Sequence, residues 1–257
     1  MQRFLAQTIM LVRCNMCFRN HINSLAGIAA LGVISTVLFG CGSYRGIGVH
    51  STDQNLSEAF LAVALGREGR FADDVLSKWC GPVGVTLPET VPPGRRTRMM
   101  EELFLLSRLT TVDFQVDTKP GIEMHYPATS TELDALIVDL PIPSAVARRR
   151  VASASCFFVL QTDRETGCLR KADIVLPAAL DDSAFDHCVA EEFSQAMGLP
   201  NDIDAGEGSI FSRSGRASAR TTVDDIFLRT LYDPEIAPGT ERPELEELVP
   251  TLIGKHR

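Results

Sequence analysis

The stretch that decides the fold is Glu191-Glu192-Phe-Ser-Gln195-Ala-Met-Gly198-Leu-Pro-Asn201-Asp202. Glu191 and Gln195 are four residues apart, so on a helix they lie on one face, one turn from each other. Gly198 predicts the end of that helix, because glycine readily takes the left-handed conformation found just past a helix C-terminus. The stretch therefore predicts a helix with a row of polar side chains, followed by a turn.

The start of this helix is indicated by capping residues upstream. Asp181-Asp182-Ser183 predicts the N-terminus, and Ser183 with Asp186 fits the S-x-x-D capping pattern. An apolar stripe along the helix predicts its buried side, and the stripe contains Phe185, Val189, Phe193 and Ala196. Glu192 falls at the edge of the stripe, where burial without a partner would raise its pKa.

The polar row has the spacing of a metal-binding protease helix, H-E-x-x-H-x-x-G-x-x-H, with every histidine replaced. Glu191, Gln195 and Asn201 stand at the three ligand positions, and Glu192 stands at the general-base position. Catalytic zinc needs three good ligands, and amide oxygens bind it weakly. The sequence therefore predicts no metal and no cofactor. Ca²⁺ accepts such oxygens, but no dense carboxylate loop accompanies them.

Two roles remain open for these side chains. Glu191, Gln195, Asn201 and Asp202 form either an internal hydrogen-bond network or the floor of a binding cleft. His187, one turn before Glu191, is expected on the helix surface.

The N-terminus has the features of an exported lipoprotein. Residues 1–41 contain three arginines and no acid, and residues 26–39 are a short apolar run that ends before Gly40-Cys41. This end resembles a bacterial lipobox, which implies lipidation at Cys41 and, with Gly42 next, sorting to the outer rather than the inner membrane. An uncleaved membrane anchor is the alternative. Translation starts at Met1 or Met16.

Charge and cysteine content narrow the partners and the compartment. The net charge is −8, which argues against nucleic acid as a partner. Four cysteines follow the lipidation site, and in an oxidising compartment they predict disulfides whose three possible pairings the sequence leaves open. These cysteines are Cys80, Cys156, Cys168 and Cys188.

The remaining pattern predicts one domain. Residues 42–54 are a flexible linker, 55–236 the domain and 237–257 a C-terminal tail. Period-2 and apolar runs predict strands at 83–87, 112–116, 122–126, 137–140, 156–160 and 172–176, the last two joined by a turn. Helical spacing predicts helices at 56–65, 95–109 and 130–136. The arginines of 95–109 predict a solvated face, with partner binding as the alternative.

The sequence resembles a bacterial family that is defined by a domain of unknown function and includes many proteins described as lipoproteins. The resemblance spans roughly residues 79–239. It is carried by Lys78-Trp79, Pro82-Val83, Cys156, the stretch from Cys188 to Asp202, Ser209-Ile210-Phe211-Ser212, Asp224, Leu231-Tyr232-Asp233-Pro234 and Pro238-Gly239. It implies no mechanism.

A more distant resemblance is to the metzincin metalloproteases. Their order of site helix, glycine turn, methionine turn and closing helix is matched with Phe211 in place of the methionine and with a helix at 221–232. It implies an α+β, zincin-like fold: a small mixed sheet with a backing helix, a site helix and a C-terminal helix. It also implies that strand 172–176 is an exposed edge, open to a peptide by strand addition.

Together these features predict a lipid-anchored cell-envelope protein that acts as a noncatalytic binding or scaffolding module. Its partners would be the membrane, through the anchor, and a peptide or protein. The rival is a hydrolase that uses Glu192 as general base. A third option is that function lies in residues 242–257.

Overall fold

The structure, a computed structural model, describes residues 7–13, 53–65, 75–118, 121–142, 145–203, 208–213 and 217–257. Cys41, Met16 and nearly all of the linker 42–54 lie outside the described residues. Among those that are described, no helix combines the length and the apolar composition that crossing a membrane requires.

Strands and helices alternate along much of the described chain. The strands are β1 (Gln7–Arg13), β2 (Val83–Thr86), β3 (Phe114–Val116), β4 (Ile122–His125), β5 (Phe157–Asp163) and β6 (Leu169–Val175). The helices are α1 (Asp53–Leu65), α2 (Pro93–Thr110), α3 (Ser130–Asp139), α4 (Ala145–Val151), α5 (Asp182–Gln195), α6 (Thr222–Leu231) and α7 (Arg242–His256).

The strands form one mixed sheet in the order β1-β5-β6-β4-β2-β3. Strands β3, β2, β4 and β6 run parallel to one another, whereas β5 is antiparallel to β6. The prediction of a mixed sheet with helices is thus confirmed, and the five strands β2 to β6 are mostly parallel. Strand β1 pairs antiparallel with the outer side of β5. It falls within the range predicted as a signal peptide, which stays a prediction.

The predicted edge strand at 172–176 is not an edge. Strand β6 pairs with β5 on one side and with β4 on the other, so that Ala172 lies opposite both Leu160 and Ile122. Its backbone groups are therefore already used in the sheet, and the prediction of strand addition at this position is wrong.

Two local predictions also fail at helix ends. Residues 137–139 continue α3 instead of forming a strand, and Leu140 is the C-cap of the helix. Thr129 caps its start through a bond from Glu132 N, and Ile137 is buried while Val138 is exposed, as in a one-sided helix. Helix α5 is capped by Asp181, whose side chain accepts from Ala184 N at 2.8 Å. Ser183 therefore lies inside the helix and is not its cap.

The sheet separates a large core from a small one, because successive side chains of a strand point to opposite faces. On β5, Phe158 and Leu160 join the large core, with α1, α2, α5, α6 and α7. Phe157 and Val159 join the small core, beneath α3 and α4.

Two disulfides select one of the three possible pairings. Cys80–Cys168 joins the segment before β2 to the β5–β6 turn, and Cys156–Cys188 joins the start of β5 to α5. The second bridge fixes the site helix against the sheet.

The segment predicted as a C-terminal tail contains α7, which packs on α1. Its buried side chains are Leu245, Val249, Leu252 and Ile253. Residues 242–256 therefore contribute to the large core.

Candidate functional site

The turn after α5 depends on Gly198 and on two side chains from distant segments. Gly198 has a φ of 113°, and a Cβ there would lie 2.1 Å from the Ser77 carbonyl oxygen. Trp79 Nε1 donates to Ala196 O at 3.0 Å, and the Tyr232 hydroxyl donates to Met197 O at 2.9 Å. These bonds satisfy carbonyls that the end of the helix leaves without helical partners.

The polar side chains predicted to form a row on α5 do lie close together, but they are buried inside the protein. Glu191, Glu192, Gln195, Asn201 and Asp202 are each at most 5% exposed. The row is therefore an internal network and not the floor of an open cleft. Glu192, at the edge of the predicted apolar stripe, is fully buried.

Helix α1 contacts this network through Asn201. The backbone N and the side-chain Nδ2 of Asn201 both donate to Val63 O, at 3.1 and 3.0 Å. Val63 lies in the last turn of α1, where carbonyls have no partner within the helix. Asn201, at the third ligand position of the protease pattern, thus acts as a C-terminal cap for a helix far away in sequence.

Gln195 and Asp202 form the next part of the network. Gln195 Nε2 donates to Asp202 Oδ1 at 2.8 Å. Burial, followed by the charge of Glu191, raises the pKa of Asp202 to about 8, against the opposite effect of the Gln195 bond. Asp202 therefore tends to stay protonated near neutral pH.

Glu192, the candidate general base, has the least satisfied side chain of the group. Neither of its carboxyl oxygens has a hydrogen-bond partner among the described residues. Burial, and then the charges of Glu191 and Asp202, raise its pKa well above the usual value. The protonated, neutral form is therefore favoured at this position.

Glu191 contacts His187. The sequence predicted His187 on the helix surface, but the side chain is buried. His187 Nε2 lies 3.0 Å from Glu191 Oε2, and its Nδ1 lies 2.5 Å from Ala217 O. The segment containing Ala217 covers this part of α5, which periodicity alone could not indicate. Burial lowers the pKa of His187, but Glu191 and Ala217 O outweigh it and raise the pKa overall.

Among the described residues, two groups of side chains have ligand atoms close enough to one another to hold a metal. Cys156, Glu191 and Glu192 form the first, but the Cys156 sulfur is bonded to Cys188 and is no thiolate. Two carboxylates alone do not make a catalytic zinc site.

The second group, Glu123, His125 and Asp173, lies on β4 and β6 and was missed in the sequence. The Lys171 ammonium lies 2.8 Å from Glu123 Oε2 and 3.0 Å from Asp173 Oδ1, so a cationic side chain already balances these carboxylates. The sequence pattern that could have indicated this group is the alternation of polar and apolar residues on both strands.

The turn 209–212 ties α5 to α6. The Asp224 carboxylate accepts from Ser209 Oγ, Ile210 N and Thr221 N. Phe211 is buried, with its ring 6.5 Å from that of Phe227. The turn therefore supports the network through packing and backbone bonds.

Comparison with known proteins gives the family. No curated protein and no solved structure matches the chain. A family model described as "Protein of unknown function (DUF2927)" matches residues 53–251, which include every element from α1 to most of α7. Since this match covers most of the chain, the predicted membership of a family with a domain of unknown function is confirmed, and the protein belongs to the DUF2927 family.

Proposed function

We propose that the protein is a noncatalytic binding or scaffolding domain of the cell envelope, built on a metzincin-like frame without its metal ligands. The observation that carries this proposal is the burial of the whole frame inside the protein, with Asn201 bonded to Val63 O of α1.

The state of Glu192 supports this proposal. A general base needs to reach the proton that it removes, directly or through one water. Glu192 is fully buried, and burial raises its pKa, which favours the protonated form over the carboxylate that a general base requires. In this conformation no substrate can reach the side chain.

The metzincin relationship is supported by the order and contacts of the parts. Helix α5, the turn at Gly198, the turn 209–212 and α6 follow one another as the pattern requires. Asp224 bonds the last two together.

Anchoring at the membrane is the second part of the proposal. The basic start, the apolar run 26–39 and Gly40-Cys41 support lipidation at Cys41 and export. Cell fractionation tests it: wild-type protein is expected with the membranes, and Cys41→Ala is expected to leave them. Membrane retention of the variant would favour an uncleaved anchor.

The alternative is a hydrolase with Glu192 as general base. Its supporting observation is the raised pKa of a buried carboxyl group, which is common at catalytic sites. It requires a conformational change that exposes Glu192.

Metal content and hydrolysis of peptide substrates separate the two functions. Wild type, Glu192→Gln and the control Ser194→Ala, also buried on α5, are purified and compared. We expect no tightly bound zinc and no cleavage that depends on Glu192. Zinc at one ion per chain, or cleavage lost in Glu192→Gln but kept in Ser194→Ala with all three proteins folded, would refute the noncatalytic proposal.

A further inference from the structure

A groove between α2 and α6 is rich in arginine, although the protein is acidic overall. It has a volume of about 360 Å³, and its arginines are Arg98, Arg108, Arg220 and Arg229. The acidic side chains in it are Glu102 and Asp225. The groove therefore carries an excess of positive charge, in a chain with a net charge of −8.

The two acids, Glu102 and Asp225, already form ion pairs with Arg98 and Arg220. Arg98 Nη1 lies 3.0 Å from Glu102 Oε2, and Arg220 pairs with Glu102 as well. Arg220 Nε also lies 3.2 Å from Asp225 Oδ1. Glu102 and Arg220 are almost fully buried, so this network forms a fixed floor.

Within the described part of the chain, the other two arginines of the groove lack such ion pairs. Arg108 and Arg229 are exposed, and neither forms an ion pair with another described residue. The unbalanced charge of the groove is therefore located at its rim, where it is accessible to a ligand.

Apolar side chains continue the same surface on α2. Phe104 is 62% exposed and Leu105 is 44% exposed, and the Arg108 guanidinium lies 6.0 Å from the centre of the Phe104 ring. Leu105 also lines the groove. Aromatic side chains and arginine together are typical of protein interfaces, whereas most exposed surface lacks them.

We propose that this groove docks an acidic peptide segment of a partner protein. Carboxylates of the segment pair with Arg108 and Arg229, and an apolar side chain packs on Phe104 and Leu105. This inference rests on the proposed binding function and assigns it a surface and a class of partner.

Shape and charge favour this occupant. The groove is concave, with Arg220 at its floor, whereas a flat lipid surface would reach only the outer side chains. A single small anion would leave Phe104 and Leu105 uncovered. The net negative charge of the chain disfavours an acidic segment in general, whereas the excess of arginine in the groove attracts it.

Fluorescence anisotropy on the purified protein tests the proposal. The probe is a short fluorescein-labelled peptide of glutamate and leucine, and the reference peptide has lysine in place of glutamate. We expect the acidic peptide to bind, the lysine peptide not to bind, and added salt to weaken binding. Arg108→Glu and Arg229→Glu are each expected to weaken it by about tenfold or more.

Arg149→Glu is the matched control. Arg149 is exposed on α4, which lies over the small core on the other face of the sheet, and the substitution changes the charge by the same amount. We expect its effect to stay within about twofold. Phe104→Ala removes an exposed ring and is expected to weaken binding several-fold without unfolding the protein.

Three outcomes would overturn the inference. The first is no binding of the acidic peptide, or binding that the groove substitutions leave unchanged. The second is binding of phosphatidylglycerol vesicles or inorganic phosphate that depends on Arg108 and Arg229 while the peptide does not bind. The third is self-association in sedimentation that Arg108→Glu abolishes, which would make a second copy the occupant.

The hydrolysis assay keeps the two proposals separate. If the peptide does not bind and no cleavage depends on Glu192, the groove inference fails and the noncatalytic proposal stands. If the peptide is cleaved and Glu192→Gln stops the cleavage, the noncatalytic proposal fails.

Discussion

The buried carboxyl groups beside α5 predict an unusual dependence of stability on pH. Asp202 has a pKa raised from 3.8 to about 8, mainly by burial, and the pKa of Glu192 is raised in the same direction. A carboxyl group with a raised pKa binds more protons in the folded chain than in the unfolded chain. Its contribution is therefore fully present at pH below the unfolded value and is lost as the pH rises toward the folded value.

The size of the effect follows from the shift. Each differentially bound proton changes the free energy of unfolding by about 1.4 kcal/mol per pH unit. Asp202 alone therefore removes up to about 1.4 kcal/mol per unit between about pH 4 and about pH 8. A typical domain is stable by about 5–15 kcal/mol in total, so the change is large. The raised pKa of His187 acts with the same sign.

Burial also raises the pKa of Asp224, which adds a slope of the same sign. The lowered carboxyl and lysine pKa values act outside this window. The lowered pKa values of Asp163 and Asp233 affect stability only in more acidic solution, as pH falls below the usual aspartate range. Burial lowers the pKa of Lys78 to about 8, so its titration raises stability only above that pH.

Urea denaturation across this pH range tests the reasoning. Asp202→Asn keeps an oxygen that accepts from Gln195 but does not ionise, so its free energy of unfolding is expected to fall less steeply with pH. Glu192→Gln is expected to act likewise, and the double variant to have the flattest profile. Asp134→Asn, at an exposed position on α3, is the control and keeps the wild-type slope.

A wild-type slope in the double variant would refute the assignment of these carboxyl groups. Wild-type stability that rises with pH in this window would refute the sign.

Three further changes test the supports of the network. Asn201→Ala removes one of two bonds to the end of α1 and is expected to cost about 1 kcal/mol in urea denaturation, with faster hydrogen exchange in α1; unchanged exchange there would contradict the capping role. Loss of the Cys156–Cys188 bridge in a double serine variant is expected to cost about 2–4 kcal/mol, and a smaller change would mean that packing alone holds α5 on the sheet. Gly198→Ala places a Cβ against a backbone carbonyl at positive φ and is expected to cost more than about 2 kcal/mol; an unchanged melting temperature would contradict it.

The sequence predicted best what neighbouring residues determine. The apolar stripe and the 100° step of a helix gave α5 its buried side and gave Glu192 its position at the edge of that side. Gly198 correctly predicted the turn that ends this helix. In each case the determining residues lie within a few positions of one another or concern simple burial.

The errors came from partners that are distant in sequence. Strand β6 was expected at an edge, because nothing near Ala172 indicates that β4 lies parallel beside it. The polar row was left open between a network and a cleft, because Val63, 138 residues before Asn201, supplies the partner. His187 was expected on the surface for the same reason, since Ala217 covers it.

The contacts of the polar row explain why these residues are compatible with a frame that lacks metal ligands. Asn201 holds the end of α1, Gln195 holds Asp202, and Glu191 holds His187, which contacts Ala217 O. Each of the three ligand positions thus has a partner within the protein. Asn201 reaches α1 directly, and Glu191 reaches Ala217 through His187. The row therefore fastens α1 and the segment before α6 to the site helix. A movement of α1 away from this row would first have to break both Asn201 bonds, so Asn201→Ala also tests whether loosening α1 reveals a hydrolase activity.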